Sequence, residues 1–191
     1  MDAPPPPNAS AWLACDHKTL LHTRVFDVRS TRFEHPVRKV QRDFVVIDPP
    51  DWVNVIAVTA DQQMVLVRQF RYGISGFSWE IPGGVIEKNE APAAGGMREL
   101  REETGYVGST AQVLGSVHPN PAIQSNRCHF LFVEDATLTS GVAWDHDEEI
   151  DVCLVHVEDV FTMARSGLIT HSLVLNALFL FEPLWRTAQR V

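Results

Sequence analysis

The chain has 191 residues, 45% of them hydrophobic, and a formal net charge of -8. That length suits one sizeable core better than two full domains. The acidic balance argues against a general nucleic-acid or anionic-membrane binder, because nothing basic is concentrated enough to neutralise a phosphate backbone. An acidic protein that handles phosphates needs a metal cation between the two. The three cysteines, Cys15, Cys128 and Cys153, are too few and too scattered for a disulfide framework or a zinc site, which fits a reducing cytosol and a cytoplasmic location.

The first residues, "MDAPPPPNAS", have no basic start and no apolar stretch, so no signal peptide is expected there. Residues 1–18 read as a flexible, proline-rich leader. Residues 19–50 hold "TRVFDVRSTRFE" and "RKVQRDFVVID", in which apolar and polar residues alternate as in half-buried strands. In "VNVIAVTADQQMVLVRQFRY" two apolar runs flank "ADQQ", which predicts a hairpin. After "IPGG" the period changes: Ala93, Met97, Leu100 and Thr104 recur at helical spacing, Pro92 suits a first helical turn and Gly105 suits the stop. "QVLGSVHP", "RCHFLFVED" and "IDVCLVHV" read as strands. "EDVFTMARSG" and "THSLVLNALFLFE" read as closing helices, the second with Thr170 as N-cap. The apolar run at 173–181 is far shorter than the ~20 residues that span a bilayer, so it is expected in the core or at a subunit interface. Strands, helix, strands and helices in that order predict an α/β (α+β) protein with a mixed sheet covered on both faces, residues 51–185 forming the main domain.

The acids of the first helix have a spacing that needs explaining. Glu99, Glu102 and Glu103 lie three and four apart, so a helix brings their carboxylates to one side. Like charges at that spacing repel by a few tenths of a kcal/mol per pair, so something cationic should sit among them. Hard carboxylate oxygens suit Mg2+ or Mn2+, and Mg2+ binds through one or two carboxylates together with substrate phosphates. A solvated acidic face balanced by Arg98 and Arg101 is the competing reading. Gly95 and Gly96 each cost about 1 kcal/mol against Ala in a helix, so packing and metal more than propensity must hold this one.

The complete pattern decides between them. Gly84, Glu90 after five residues, Arg98 after seven more, then Glu99, Leu100, Glu102, Glu103, Gly105 and Tyr106 fill every fixed position of a 23-residue signature, and on it the chain resembles the Nudix hydrolases. The resemblance implies an αβα sandwich and Mg2+-dependent hydrolysis of a diphosphate joined to another group. It further implies Glu99, Glu102 and Glu103 as metal ligands with the backbone of Gly83, and Glu90 and Arg98 as the residues that orient them. Tyr106 stands where the family more commonly has an aliphatic residue.

Pro121, fifteen residues beyond Tyr106, sits at an offset that resembles the ADP-ribose pyrophosphatase branch. "LVRQFRYGISGFSWEIPGG" and the N-terminal strands resemble nucleoside-diphosphate-sugar hydrolases, in which that N-terminal portion supports a homodimer. The substrate class implied is a small nucleotide-sugar, with ADP-ribose first. GDP-mannose, other nucleotide pyrophosphates and a non-catalytic nucleotide sensor are the alternatives. Arg68 and Arg71 have guanidinium forks suited to phosphate or ribose oxygens, or are plain surface charges. Trp52 has an aromatic face suited to stacking a nucleobase, with packing against the leader or a partner subunit as the alternative. His118 and His129 lie eleven apart on separate elements and are expected to be structural, not a metal pair. The acidic run "DHDEEID" at 145–151 lies where related hydrolases carry a base and a further metal ligand. By position Glu148 comes first, as metal ligand or as catalytic base, then Glu149 as base, with His146 in the usual glutamate slot two residues earlier. Glu99 becomes the base if the loop carries none.

Overall fold

The structure is a computed structural model describing residues 8–139, 141–144 and 149–189. It divides into two compact units, one of residues 1–50 with 120–126, the other of residues 51–119 with 127–191.

The first unit is a three-stranded antiparallel sheet, β1 (Leu13–His22), β2 (Asp27–Glu34) and β3 (Gln41–Asp48), with β2 central. Strand β1 begins at Leu13, inside the stretch read as leader, because it pairs with β2 from Leu13 opposite Glu34 to His22 opposite Asp27, with register shifts between Ala14 and Asp16 and between Thr19 and Leu21. A bidentate ion pair from Arg29 to Asp48 ties β2 to β3, and Trp12, Phe33 and Phe44 meet edge to face. Residues 120–126 add a parallel bridge from Gln124 to Ile47, and Asn126 Nδ2 donates to the Pro50 carbonyl at 3.0 Å. Among the described residues, every fully buried apolar side chain belongs to the second unit.

The second unit contains β4 (Trp52–Ala57), β5 (Gln63–Arg71), β6 (Gly76–Glu80), β7 (Gly83–Val85), α1 (Pro92–Thr104), β8 (Tyr106–Val107), β9 (Gln112–Val117), β10 (Cys128–Val133), β11 (Thr137–Leu138), β12 (Ile150–His156), α2 (Val157–Arg165) and α3 (Ser172–Ala188). One sheet runs β7-β4-β10-β9, mixed because β4 and β10 are parallel; another runs β12-β5-β6, all antiparallel; β11 pairs with β8. Alternation sorts the side chains. Val53, Val55, Ala57, Leu131 and Val133 pack with Leu100 of α1, while Ile56, Cys128, Phe130, Met64 and Leu66 pack with Val160 and Phe161 of α2 and Val174, Ala177 and Phe181 of α3. Helices therefore cover both faces, the αβα sandwich that the signature implied. Burial pushes the Cys128 thiol up to about 12, which fits a packing role.

Three local readings need correction. The "ADQQ" turn forms, with Thr59 and Gln63 bonded and Val58 bridged to Met64, but β4 and β5 then part into different sheets, because both are apolar on both faces and each finds two neighbours. Helix α3 starts after His171, not Thr170, and no side chain caps it. It also runs through Pro183 to Ala188, beyond the apolar run, and leaves Phe179 exposed.

Candidate active site

Strand β6 passes through Pro82 into β7, where the Val55 amide donates to the Pro82 carbonyl at 2.8 Å and the Ile86 amide to the Asp51 carbonyl at 2.9 Å. The loop then reaches α1, with Pro92 in its first turn and Gly105 ending it at φ 74°, a left-handed conformation glycine adopts at least cost. The two helical glycines have packing reasons. A Cβ on Gly96 would stand 2.3 Å from Leu131 Cδ1, so the helix lies too close to the sheet for a side chain there. A Cβ on Gly95 would stand 2.8 Å from Glu90 Oε2, so that position is kept open for a carboxylate. Likewise the Glu99 carboxylate lies against the backbone at Gly84, where a Cβ would come within 2.6 Å of it.

The acids differ in burial. Glu103 is 5% exposed and accepts the Gly83 amide on Oε2 at 2.9 Å, which locks loop to helix. The side chains of Glu99 and Glu102 are 15% and 35% exposed and converge on one nitrogen, Arg98 Nη1, at 2.8 and 3.1 Å. Arg98 also donates to both oxygens of Glu90, at 3.0 and 3.1 Å, and to the Val85 carbonyl at 3.0 Å. The hydrogen bonds that Arg98 donates to Glu90 raise the Arg98 pKa further above its ordinary value, and the Arg98 guanidinium holds Glu90 below the usual carboxylate range. The cation that the acidic spacing calls for is thus supplied first by Arg98, which ties Glu90, Glu99 and Glu102 into one cluster.

The donors fit a hard divalent ion by kind: three carboxylates on one helix, one nearly buried, beside a glycine backbone with no side chain in the way. As they lie, no three acidic, histidine or cysteine side chains among the described residues stand together as a ready ligand set. Ligation by Glu99 and Glu102 therefore competes with their hydrogen bonds to Arg98.

The other expected residues are placed as follows. Glu148 and His146 lie outside the described residues, and Glu149 is exposed just before β12. Arg68 and Arg71 point to opposite faces of β5, three residues apart in a strand of period two. Arg68 stacks on the Phe77 ring at 4.3 Å and lies 3.6 Å from Asp151. Arg71 forms a bidentate pair with Glu80, at 2.8 and 2.6 Å. Trp52 packs against the core cluster on the α2 and α3 side. Pro121 is exposed in a turn of the first unit. His118 meets Arg127 at 3.2 Å and His129 meets Asp51 at 3.3 Å, so each histidine has its own partner.

Two residues escaped the sequence reading. Glu80 is 1% exposed; burial pushes its carboxyl up, but Arg71, with help from His171 and Ser78, outweighs this and holds it below the usual range. A lone acid inside the apolar "FSWEIP" was the available signal, since a carboxylate is rarely buried unpaired. Trp144, whose indole N–H donates to the Glu103 carbonyl at 2.9 Å, had none, because it precedes the acidic run in no periodic pattern.

The fold and this acidic helix define a class of enzyme. Residues 49–173 match the NUDIX domain, and the chain belongs to the Nudix family as a pyrophosphohydrolase. It is 32% identical to the ADP-ribose pyrophosphatase of Bacillus subtilis (strain 168) over 144 residues, 75% of this chain and 77% of that one. It is 39% identical to the ADP-sugar pyrophosphatase of Mus musculus over 87 residues, 44% of this chain and 40% of that one. A crystal structure of an ADP compounds hydrolase superposes with a TM-score of 0.83, covering 97% of this chain and all of the other at 20% identity, which shows the shared fold. Among the described residues, no helix is long and apolar enough to cross a membrane.

Proposed function

We propose that this enzyme hydrolyses the pyrophosphate bond of a nucleoside diphosphate joined to a sugar, with ADP-ribose as substrate and AMP and ribose 5-phosphate as products. The observation that carries the reading is the placing of Arg98, Glu99, Glu102 and Glu103 on one helix against Gly83 and Gly84, with Arg98 joining Glu99 and Glu102 to Glu90 of the preceding loop and Glu103 accepting the Gly83 amide. The likeness to the B. subtilis enzyme over most of both chains supports the choice of ADP-ribose.

Glu99, Glu102 and Glu103 would hold Mg2+, or Mn2+ in its place, and Glu90 and Arg98 keep their carboxylates in position. Bound there, the metal would neutralise the diphosphate and lower the pKa of an attacking water. Arg71, fixed by a buried acid, offers a guanidinium for phosphate or ribose oxygens. Glu148, then Glu149, supplies the base or a further ligand. We also propose a homodimer formed through the N-terminal strands, and action in the cytoplasm on small molecules without a nucleic-acid or membrane partner.

The test is product release from ADP-ribose, GDP-mannose, NADH and dinucleoside polyphosphates in parallel, with Mg2+, Mn2+ or chelator. ADP-ribose should turn over fastest and chelator should abolish the reaction. Faster turnover of GDP-mannose would replace the substrate, and undiminished rates in chelator would remove the metal. Full activity of both Glu148→Gln and Glu149→Gln across a pH–rate profile would move the base to Glu99.

A further inference from the structure

Glu102 and Glu103 stand in the last turn of α1, where a helix is weakest, because its final carbonyls have no partner further along. Two of these carbonyls, and that of the following Gly105, are taken up from one stretch of chain. The ladder of β11 on β8, with Thr137 opposite Val107 and Leu138 opposite Tyr106, continues as the Thr139 amide donates to the Gly105 carbonyl at 3.0 Å. Further along, the Ala143 amide donates to the Glu102 carbonyl at 2.8 Å and the Trp144 indole to the Glu103 carbonyl at 2.9 Å. The Gly105 amide closes on Arg101 at 2.8 Å, and the Thr104 hydroxyl on Leu100.

We propose that Thr139, Ala143 and Trp144 form a clasp on the last turn of α1, and that Trp144 is a positioning residue for the carboxylates of Glu102 and Glu103. Trp144 is 38% exposed and belongs to neither core cluster, so its fixed feature is the indole N–H on Glu103. The same residue, Glu103, is therefore held at both ends: its carbonyl by Trp144 and its carboxylate by the Gly83 amide. With the turn pinned, two of the acids reach the metal from a rigid backbone; with it frayed, each binding event must also order the turn. Groups that orient metal ligands in this indirect way typically change affinity by 10- to 100-fold when lost. The inference rests on the proposal that Glu102 and Glu103 bind the metal.

The test uses the full chain with Trp144→Phe, which keeps an aromatic ring and removes the indole donor, and Ala143→Pro, which removes the N–H on the Glu102 carbonyl. Two readouts apply: amide hydrogen exchange of residues 102–105 without metal, and Mn2+ affinity by electron paramagnetic resonance. Exchange should quicken roughly fivefold in the last turn and not at the start of α1, the size expected for one lost hydrogen bond. Mn2+ should bind about tenfold more weakly, with kcat recovered at saturating metal. Unchanged exchange in both variants, or quickened exchange with wild-type Mn2+ affinity, would overturn the clasp. Glu103→Gln measured alongside separates the two ideas: if it also binds Mn2+ like wild type, the ligand assignment has failed, and if it alone loses the metal, only the clasp has.

Discussion

The Glu103 carboxylate accepts the Gly83 amide at 2.9 Å, so an acid in the last turn of α1 holds the start of β7, the strand before that helix. Glu103→Gln keeps an acceptor for that N–H, and Glu102→Gln is isosteric, so both variants should fold. Each should lose turnover by ~100-fold or more, as loss of a metal-held water would. Near-wild-type rates in both at low Mg2+ would sink the ligand assignment.

The glycines of α1 should fail in different ways. Gly96→Ala gains about 1 kcal/mol of helix propensity. It also drives a methyl into Leu131, Val53 and Val55, all fully buried, an overpacking that costs about 1–3 kcal/mol. A net loss in urea unfolding is expected, with activity kept in the protein that remains folded. Gly95→Ala pushes on Glu90, which is bonded to Arg98, so turnover should fall with stability near wild type. If Gly96→Ala is the more stable protein, the helix does not lie as close to the sheet as described.

Arg71→Met should leave the Glu80 carboxylate buried without its main partner, at a cost of about 2 kcal/mol at pH 7, since Arg71 is itself 44% exposed and partly screened. In the wild type the Glu80 pKa is depressed, so its stabilisation is present above the unfolded value of 4.5 and fades as pH falls through the folded one. In the variant, burial raises that pKa, so stability is lost as pH rises through it. The gap between the two proteins should be widest at neutral pH and narrow towards pH 4. Equal gaps by urea unfolding at both ends would show that Glu80 is not the group concerned.

The N-terminal sheet should be covered by a second copy of the chain. Leu13, Leu20, Leu21, Phe44 and Val45 are exposed on a three-stranded sheet in which no described apolar side chain is fully buried, and such a sheet needs a covered hydrophobic face to persist. Light scattering should give twice the 21.4 kDa chain mass. Tm should rise with protein concentration, as mass action requires. Val45→Asp with Leu21→Asp should shift the protein towards monomer. A monodisperse wild-type monomer at micromolar concentration would rule the dimer out.

Local chemistry made much of this protein readable from its amino acids alone. Proline and glycine act through their own backbones, so the limits of α1 at Pro92 and Gly105 needed no tertiary information. Fixed spacing on a helix determines which acids are neighbours, so the approach of Glu99 and Glu102 to Arg98 could be anticipated, while the turn of Glu103 towards the Gly83 amide could not. Alternation marked the main strands, and the whole pattern marked the family.

What depended on partners distant in sequence was decided only by the fold. An apolar strand is compatible with any sheet that covers both its faces, so the separation of β4 from β5 followed from their neighbours and not from the turn between them. Gly95 and Gly96 look like flaws in a helix until Glu90 and Leu131 come to lie against them. Arg68 and Arg71 have one chemistry, and the strand gives them opposite faces, one on an aromatic ring and one on a buried acid. Trp144 reaches the Glu103 carbonyl across forty-one positions of chain, and no local propensity encodes a hydrogen bond between groups that only the closed fold brings within 3 Å.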